Sequence, residues 1–361
     1  MFDFGKVFLT KTIVLTASIF FASHITFAQT TKVRKTDFQV PTSLQDRVDF
    51  WIDIYSKYTT TQGVFHNIQN PSLIYGEVDL TTIYNNSVLN ESSKDRLAQV
   101  KIDLARLKIA RQWKIKNPKS IRLQMGLKDR MEKAIYLSGK YLPMMEKVFK
   151  EKNLPIDLTR LVFVESSFNV FAQSKVGASG LWQIMPHTAR PEGYLKSHYD
   201  KRNHPYYATR LAAEILAENY RSTKSWPLAI TAYNHGLTGV KRMVNKVGTS
   251  DIAGLIQSHS RTASWGFASE NFYACFLAVL EVEKNANDLF GKNIAKSKPL
   301  RTKNVYLKTA MTQKKVLKAF DGDLQKFRNL NPHIFISKFK KEKVLPAGVP
   351  LVLPADESLY Y

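Results

Sequence analysis

The stretch Asp157-Leu-Thr-Arg-Leu161-Val-Phe-Val-Glu165-Ser-Ser-Phe-Asn169 places an acid where an apolar residue is expected. Leu158, Leu161, Val162 and Glu165 stand at i, i+3, i+4 and i+7, so in a helix they share one face, and the first three mark it for burial. Asp157 has the chemistry of an N-cap at the start of that helix. A carboxyl buried among apolar side chains loses the hydration of its charged form, and its pKa rises. An acid still protonated near neutral pH can act as a general acid. The pattern alone also fits a glutamate that is ion-paired or solvated near a helix end.

Working outward from Glu165, helical patterns predominate. Leu44, Val48, Trp51 and Tyr55 give helical spacing over 43–58, and helices are predicted over about 94–113 and 127–150, with Pro155 marking the next break. Downstream, 210–220 reads as a helix with Leu211, Ala212, Ile215 and Leu216 along one side. Another begins at Trp226-Pro227 and stops at Gly236, and a further apolar helix covers about 270–284. Leu73–Leu80 reads as a short strand or extended segment. Beyond Asn287 the chain becomes Lys-rich. There 291–302 reads as a linker, followed by a strand at Val305, helical stretches at 311–320 and 324–330, and a strand over 349–353. The predicted fold is mostly α, with a small βααβ unit at the C-terminal end.

The chain has 361 residues, with 53 Lys+Arg against 30 Asp+Glu, a formal charge of +23. Hydrophobic residues make up 44%, enough for packed domains rather than a disordered polyelectrolyte. One cysteine, Cys275, excludes a disulfide framework, and the eight histidines form no metal signature. His198 and His204 flank Asp200 in what reads as a wet surface turn. The charge is unevenly placed: residues 29–150 carry +9, 151–290 only +3, and 291–361 carry +10. Lys6 and Lys11, an apolar run over 12–22 and Thr26-Phe-Ala28 have the layout of a secretory signal peptide cleaved after residue 28, with no cysteine for a lipoprotein anchor. An exported basic protein with a nearly neutral central segment points away from nucleic acid and toward an anionic extracellular polymer.

Three further segments follow Glu165 in order: Ala172 and Ser174, then Gly177-Ala-Ser-Gly180-Leu-Trp-Gln183-Ile-Met185-Pro186, then Thr231-Ala-Tyr233-Asn234-His-Gly236. Together with Glu165-Ser166 they resemble the lytic transglycosylases with a goose-type-lysozyme-like (SLT) catalytic domain. The upstream Arg47-Val-Asp-Phe-Trp-Ile-Asp-Ile-Tyr55 stretch resembles one membrane-bound branch of those enzymes.

The resemblance implies a peptidoglycan substrate cleaved between N-acetylmuramic acid and N-acetylglucosamine, with Glu165 as the single catalytic carboxylate and 1,6-anhydro ends as product. Ser174, Gln183, Met185, Tyr233, Asn234 and Tyr273 are the implied substrate-binding residues. For the last of these, an ungapped alignment puts Phe272 at the family's tyrosine position and Tyr273 one place along. Asp200 and Arg202 are structural by the same resemblance, while Glu214 and Glu218 fall on a polar helix face. No cofactor or metal is implied.

The expected organisation is a signal peptide (1–28), a helical N-terminal region (29–150), a lysozyme-like domain (151–290), the linker (291–302) and a C-terminal module (303–361). That module resembles a degenerate LysM unit through Leu330-Asn-Pro332 and Pro346–Pro354, with Met311-Thr-Gln-Lys where the family's early Gly-Asp-Thr-Leu would stand. The expected protein is a monomer, exported and in the periplasm or on the cell wall, with peripheral contact to wall or membrane surface and no nucleic-acid partner.

Overall fold

The computed structural model describes residues 38–258, 260, 262, 265–291, 294–335 and 344–359. The signal-peptide segment 1–28 lies outside them. The architecture is mostly α. The described residues divide into two units: those of 38–130 with those of 256–285, and those of 131–255 with those from 286 onward. No helix among the described residues is long and apolar enough to cross a membrane.

In the unit that contains residues 38–130, helix Gln45–Ser56 buries Val48, Trp51, Ile54 and Tyr55. It packs on helix Phe267–Lys284, more than two hundred residues away in sequence. Asn271 ties them: its Oδ1 accepts from Arg47 Nη1 at 2.9 Å and from Trp51 Nε1 at 3.0 Å. A three-stranded antiparallel sheet is the main addition to the helical pattern. β1 (Gln62–Asn67) pairs with both β2 (Ile74–Asp79) and β3 (Ile121–Met125). Only β2 falls on a segment that reads as extended in the sequence. β1 and β3 are too short for alternation to separate them from helix. Helix Glu91–Gln112, capped by Asn90, covers the sheet with Ala98, Ile102 and Ile109 against Phe65, Val78 and Ile121. Leu97 and Leu107 lie on its exposed side.

The other unit holds Glu165. The segment before it is not one helix begun at Asp157. A 3-10 turn, Ile156–Arg160, is entered from Pro155 and buries Asp157 within it, so Asp157 is not the N-cap. The α-helix proper is only Leu161–Ser166, ended by Ser167 and Phe168 in the left-handed region (φ 50° and 57°). The predicted face is nonetheless buried throughout: Leu158, Leu161 and Val162 are fully enclosed. Helices Pro205–Thr223, Trp226–His235 and Leu237–Val247 follow, the second with Pro in its first turn and Gly236 at its end.

Residues 294–300 run along helix Lys128–Glu151, with Ser297 N–H donating to Tyr136 O at 2.9 Å. Only glycine fits at 139, where a Cβ would stand 2.0 Å from Ser297 O. The C-terminal module follows. Thr302–Tyr306 pairs antiparallel with Pro350–Pro354, and helices Gln313–Leu317 and Leu324–Leu330 lie between them. Val316, Phe320, Phe327 and Leu351 form its core.

Candidate active site

The loop from Ala172 to Met185 is held from four sides. Ser166, next to Glu165, donates from Oγ to Leu181 O at 2.8 Å. Tyr233, on helix Trp226–His235, donates from its hydroxyl to Trp182 O at 2.8 Å. Trp182 Nε1 donates to Thr209 Oγ1 at 2.9 Å, and its ring stacks on Phe149 with centroids 5.6 Å apart. The Arg202 guanidinium donates from Nη1 to Gly177 O (2.7 Å) and Ile184 O (3.0 Å), while Nε and Nη2 clasp the Asp200 carboxylate. Gly180 (φ +78°) lets the loop pass within reach of the Arg202 backbone, where a Cβ would meet Arg202 O at 2.2 Å.

Glu165 is 5% exposed. Burial pushes its carboxyl up from 4.5 to about 7. The Tyr233 phenol is held well above its ordinary range, first by burial and then by the charge of Glu165, so the two groups share one electrostatic environment. Asn234, the next residue on that helix, has a buried Oδ1 with no hydrogen-bond partner among the described residues. An amide oxygen can accept an N–H or O–H.

The remaining predicted residues fall in several places. Gln183 is buried and left-handed (φ +46°), and its Nε2 donates to Ala172 O at 3.1 Å and Gly180 O at 2.9 Å. That amide nitrogen braces the loop from inside. Ser174 Oγ accepts from Ala178 N–H at 2.9 Å and shapes the turn before Gly180. Met185 closes the loop and precedes the short helix Pro186–Ala189. Tyr273 lies on helix Phe267–Lys284 of the other unit, buried like Phe272, with its ring near-parallel to that of Phe276; burial pushes its phenol up to about 12.

Glu214 and Glu218 are exposed and pair with Lys152 and Arg221. The turn around Asp200 is not a wet surface. His204 is buried, with its ring between those of Tyr207 (4.5 Å) and His333 (4.4 Å), because the C-terminal module covers it. No group of three or more His, Cys, Asp or Glu able to hold a metal occurs among the described residues.

Sequence reasoning missed Ser166, Thr209 and the Trp182 carbonyl as organisers of the site. The serine directly after the acid was a usable signal, whereas a carbonyl acceptor carries none.

Residues 144–256 match the family model of the transglycosylase SLT domain. The chain is 36% identical over 89 residues to membrane-bound lytic murein transglycosylase D of Escherichia coli K12, covering 24% of this chain and 20% of that protein. It is 34% identical over 112 residues to a putative tributyltin chloride resistance protein of Alteromonas sp. M-1, covering 30% of this chain and 53% of that one. The chain thus spans about a fifth of the length of the murein transglycosylase it matches. Among solved structures it is similar to the 70 kDa soluble lytic transglycosylase of Escherichia coli (TM-score 0.33, 20% identity, 43% of this chain and 25% of that one). It is also similar to an inactive mutant of lytic transglycosylase Slt from Pseudomonas aeruginosa (TM-score 0.34, 16% identity, 60% and 36%).

Proposed function

We propose that this protein is a peptidoglycan lytic transglycosylase that cleaves the β-1,4 bond from N-acetylmuramic acid to N-acetylglucosamine. The observation that carries this reading is Glu165: an acid buried on an apolar helix face, raised to about 7, within the segment that matches the SLT domain. In the protonated state it donates to the glycosidic oxygen as that bond breaks. As carboxylate it then takes the proton of the muramoyl 6-hydroxyl, whose oxygen closes on C1. The acid is thereby regenerated and no water enters. This route needs one carboxylate, where hydrolytic glycosidases place a second one opposite the first.

In this reading the Asn234 Oδ1 accepts the N–H of a sugar acetamido group, and Tyr233 acts as a positioning residue that sets the loop beside Glu165. Ser174 and Met185 form the loop wall facing the glycan, and Gln183 serves that wall by bracing it from inside. Tyr273 remains the proposed counterpart of the family tyrosine. The signal-peptide layout supports action outside the cytoplasm on the wall; the proposed enzyme is a monomer in peripheral contact with it.

Mass spectrometry of sacculi digested by the purified protein tests the chemistry. Anhydro-muramic ends are expected, and reducing muramic ends would replace this reading with a hydrolytic lysozyme. Glu165→Gln is expected to lower muropeptide release by about a thousandfold or more with folding intact. Release at the parent rate would remove Glu165 from the mechanism.

A further inference from the structure

Lys201 lies outside the catalytic loop, and its ammonium is ringed by tyrosines. It stands 4.6 Å from the ring centroid of Tyr207, 5.6 Å from those of Tyr199 and Tyr306, and 5.8 Å from that of Tyr194. Among the described residues no carboxylate lies within ion-pair distance of it. Among the described residues, ring faces stand around the ammonium where an acidic partner would otherwise sit, and their negative faces attract it. Tyr206 packs edge-on against Tyr207 at 5.4 Å, and the Arg210 guanidinium lies 6.0 Å from the Tyr206 ring, which extends the patch with a second cation. Tyr306 is 48% exposed, so the cluster opens to solvent.

The cluster is rigidly built, and it joins two parts of one unit. Tyr306 ends the first strand of the C-terminal module, and its hydroxyl is hydrogen-bonded to that of Tyr207. Tyr194 donates to Tyr207 O at 3.2 Å. Beneath the rings the module is stitched to the 194–204 turn. Asp200 N–H donates to His333 O at 2.8 Å, Phe335 N–H donates to His198 O at 3.0 Å, and Tyr199 bridges to Ile334. The rings are therefore held before any ligand arrives, which lowers the cost of ordering them on binding.

We propose that Lys201 and the surrounding Tyr199, Tyr206, Tyr207 and Tyr306 form an accessory binding surface for a peptidoglycan strand, separate from the cleavage site. The tyrosine faces take the apolar faces of sugar rings, and their hydroxyls suit the polar edges. The Lys201 ammonium takes a free carboxylate of a peptide stem through a charge-assisted hydrogen bond. The inference rests on the wall substrate proposed above and adds where an uncut strand is held. It also gives the C-terminal module a part in binding that needs no LysM signature, because the module contributes Tyr306 and buttresses the turn.

The test uses the full chain carrying Glu165→Gln, so that the polymer stays uncut, and co-sedimentation with purified sacculi. In that background Lys201→Met and Tyr306→Ala are each expected to weaken binding about tenfold. Sacculi whose stem carboxylates have been amidated should bind the Lys201 protein as weakly as native sacculi bind Lys201→Met. If Lys201→Met does not fold, the Tyr306→Ala substitution at an exposed ring decides alone, with circular dichroism as the control. Folded variants that sediment like their parent overturn the inference. If Glu165-containing protein still releases anhydro products from those sacculi, the accessory surface alone has failed. If it neither binds nor cleaves them, the transglycosylase reading falls with it.

Discussion

Glu165 and Asp200 are carboxylates of one unit, each 5% exposed, and they have been buried in opposite ways. Asp200 is clasped by Arg202 through three hydrogen bonds, and the rest of that guanidinium is spent on two carbonyls of the loop from Ala172 to Met185. Glu165 sits on the face made by Leu158, Leu161 and Val162, where burial raises its pKa. Equal burial therefore accompanies an ion-paired staple in one place and a carboxyl of raised pKa, the proposed proton donor, in the other. What separates them is what dominates around each carboxyl: a guanidinium gripping Asp200 on both oxygens, and burial on an apolar helix face at Glu165. Reactivity follows from surroundings, and the degree of burial does not predict it.

The comparison breaks most sharply at Arg202. Arg202→Met leaves the Asp200 carboxylate buried without its partner and is expected to cost about 3–5 kcal/mol, measured by urea unfolding. The double substitution Asp200→Asn with Arg202→Met should recover much of that loss. A cost under about 1 kcal/mol for the single change would show that the pair is not a staple.

A slightly smaller effect, with a defined pH dependence, is expected at Glu165. Its folded pKa lies above its unfolded value, so the folded state keeps a proton that the unfolded state has lost. Stability from this group is therefore complete below about 4.5 and is lost as pH rises through about 7. Glu165→Gln does not titrate. It should match the parent at pH 4 and exceed it by up to about 3 kcal/mol at pH 9. Parallel stability curves for the two proteins across that range would contradict a raised pKa. Activity of the parent should fall as pH rises above about 7, because the proton donor is then lost.

The smallest effect is expected from Tyr233→Phe, which deletes the hydrogen bond to Trp182 O. It should cost about 1 kcal/mol in thermal or urea unfolding. The alkaline limb of the activity profile should shift with it if Tyr233 positions the loop beside Glu165, whereas a purely structural tyrosine would leave the limb in place.

The acid, its apolar face and the glycine-rich loop were legible from local periodicity and composition. Gln183 illustrates the limit. Its residue type suits a sugar, yet its Nε2 donates inward to two carbonyls of its own loop, which no local pattern announces. The three-stranded sheet was hidden for another reason: β1 and β3 are short, and β3 finds its partner β1 far back along the chain, beyond helix Glu91–Gln112. His204 was misplaced as a surface residue because its cover comes from residue 333.

The amino-acid sequence by itself determined which helix faces would be buried and that one of them would carry Glu165, because the 3.6-residue repeat is a local property. Tertiary structure alone decided that Arg202 grips Gly177 and Ile184, that Tyr233 reaches Trp182, and that helix Phe267–Lys284 joins the unit of residues 38–130. The acceptors in the first two cases are backbone carbonyls, which every residue carries. Only the folded path of the chain selects which of them a donor meets.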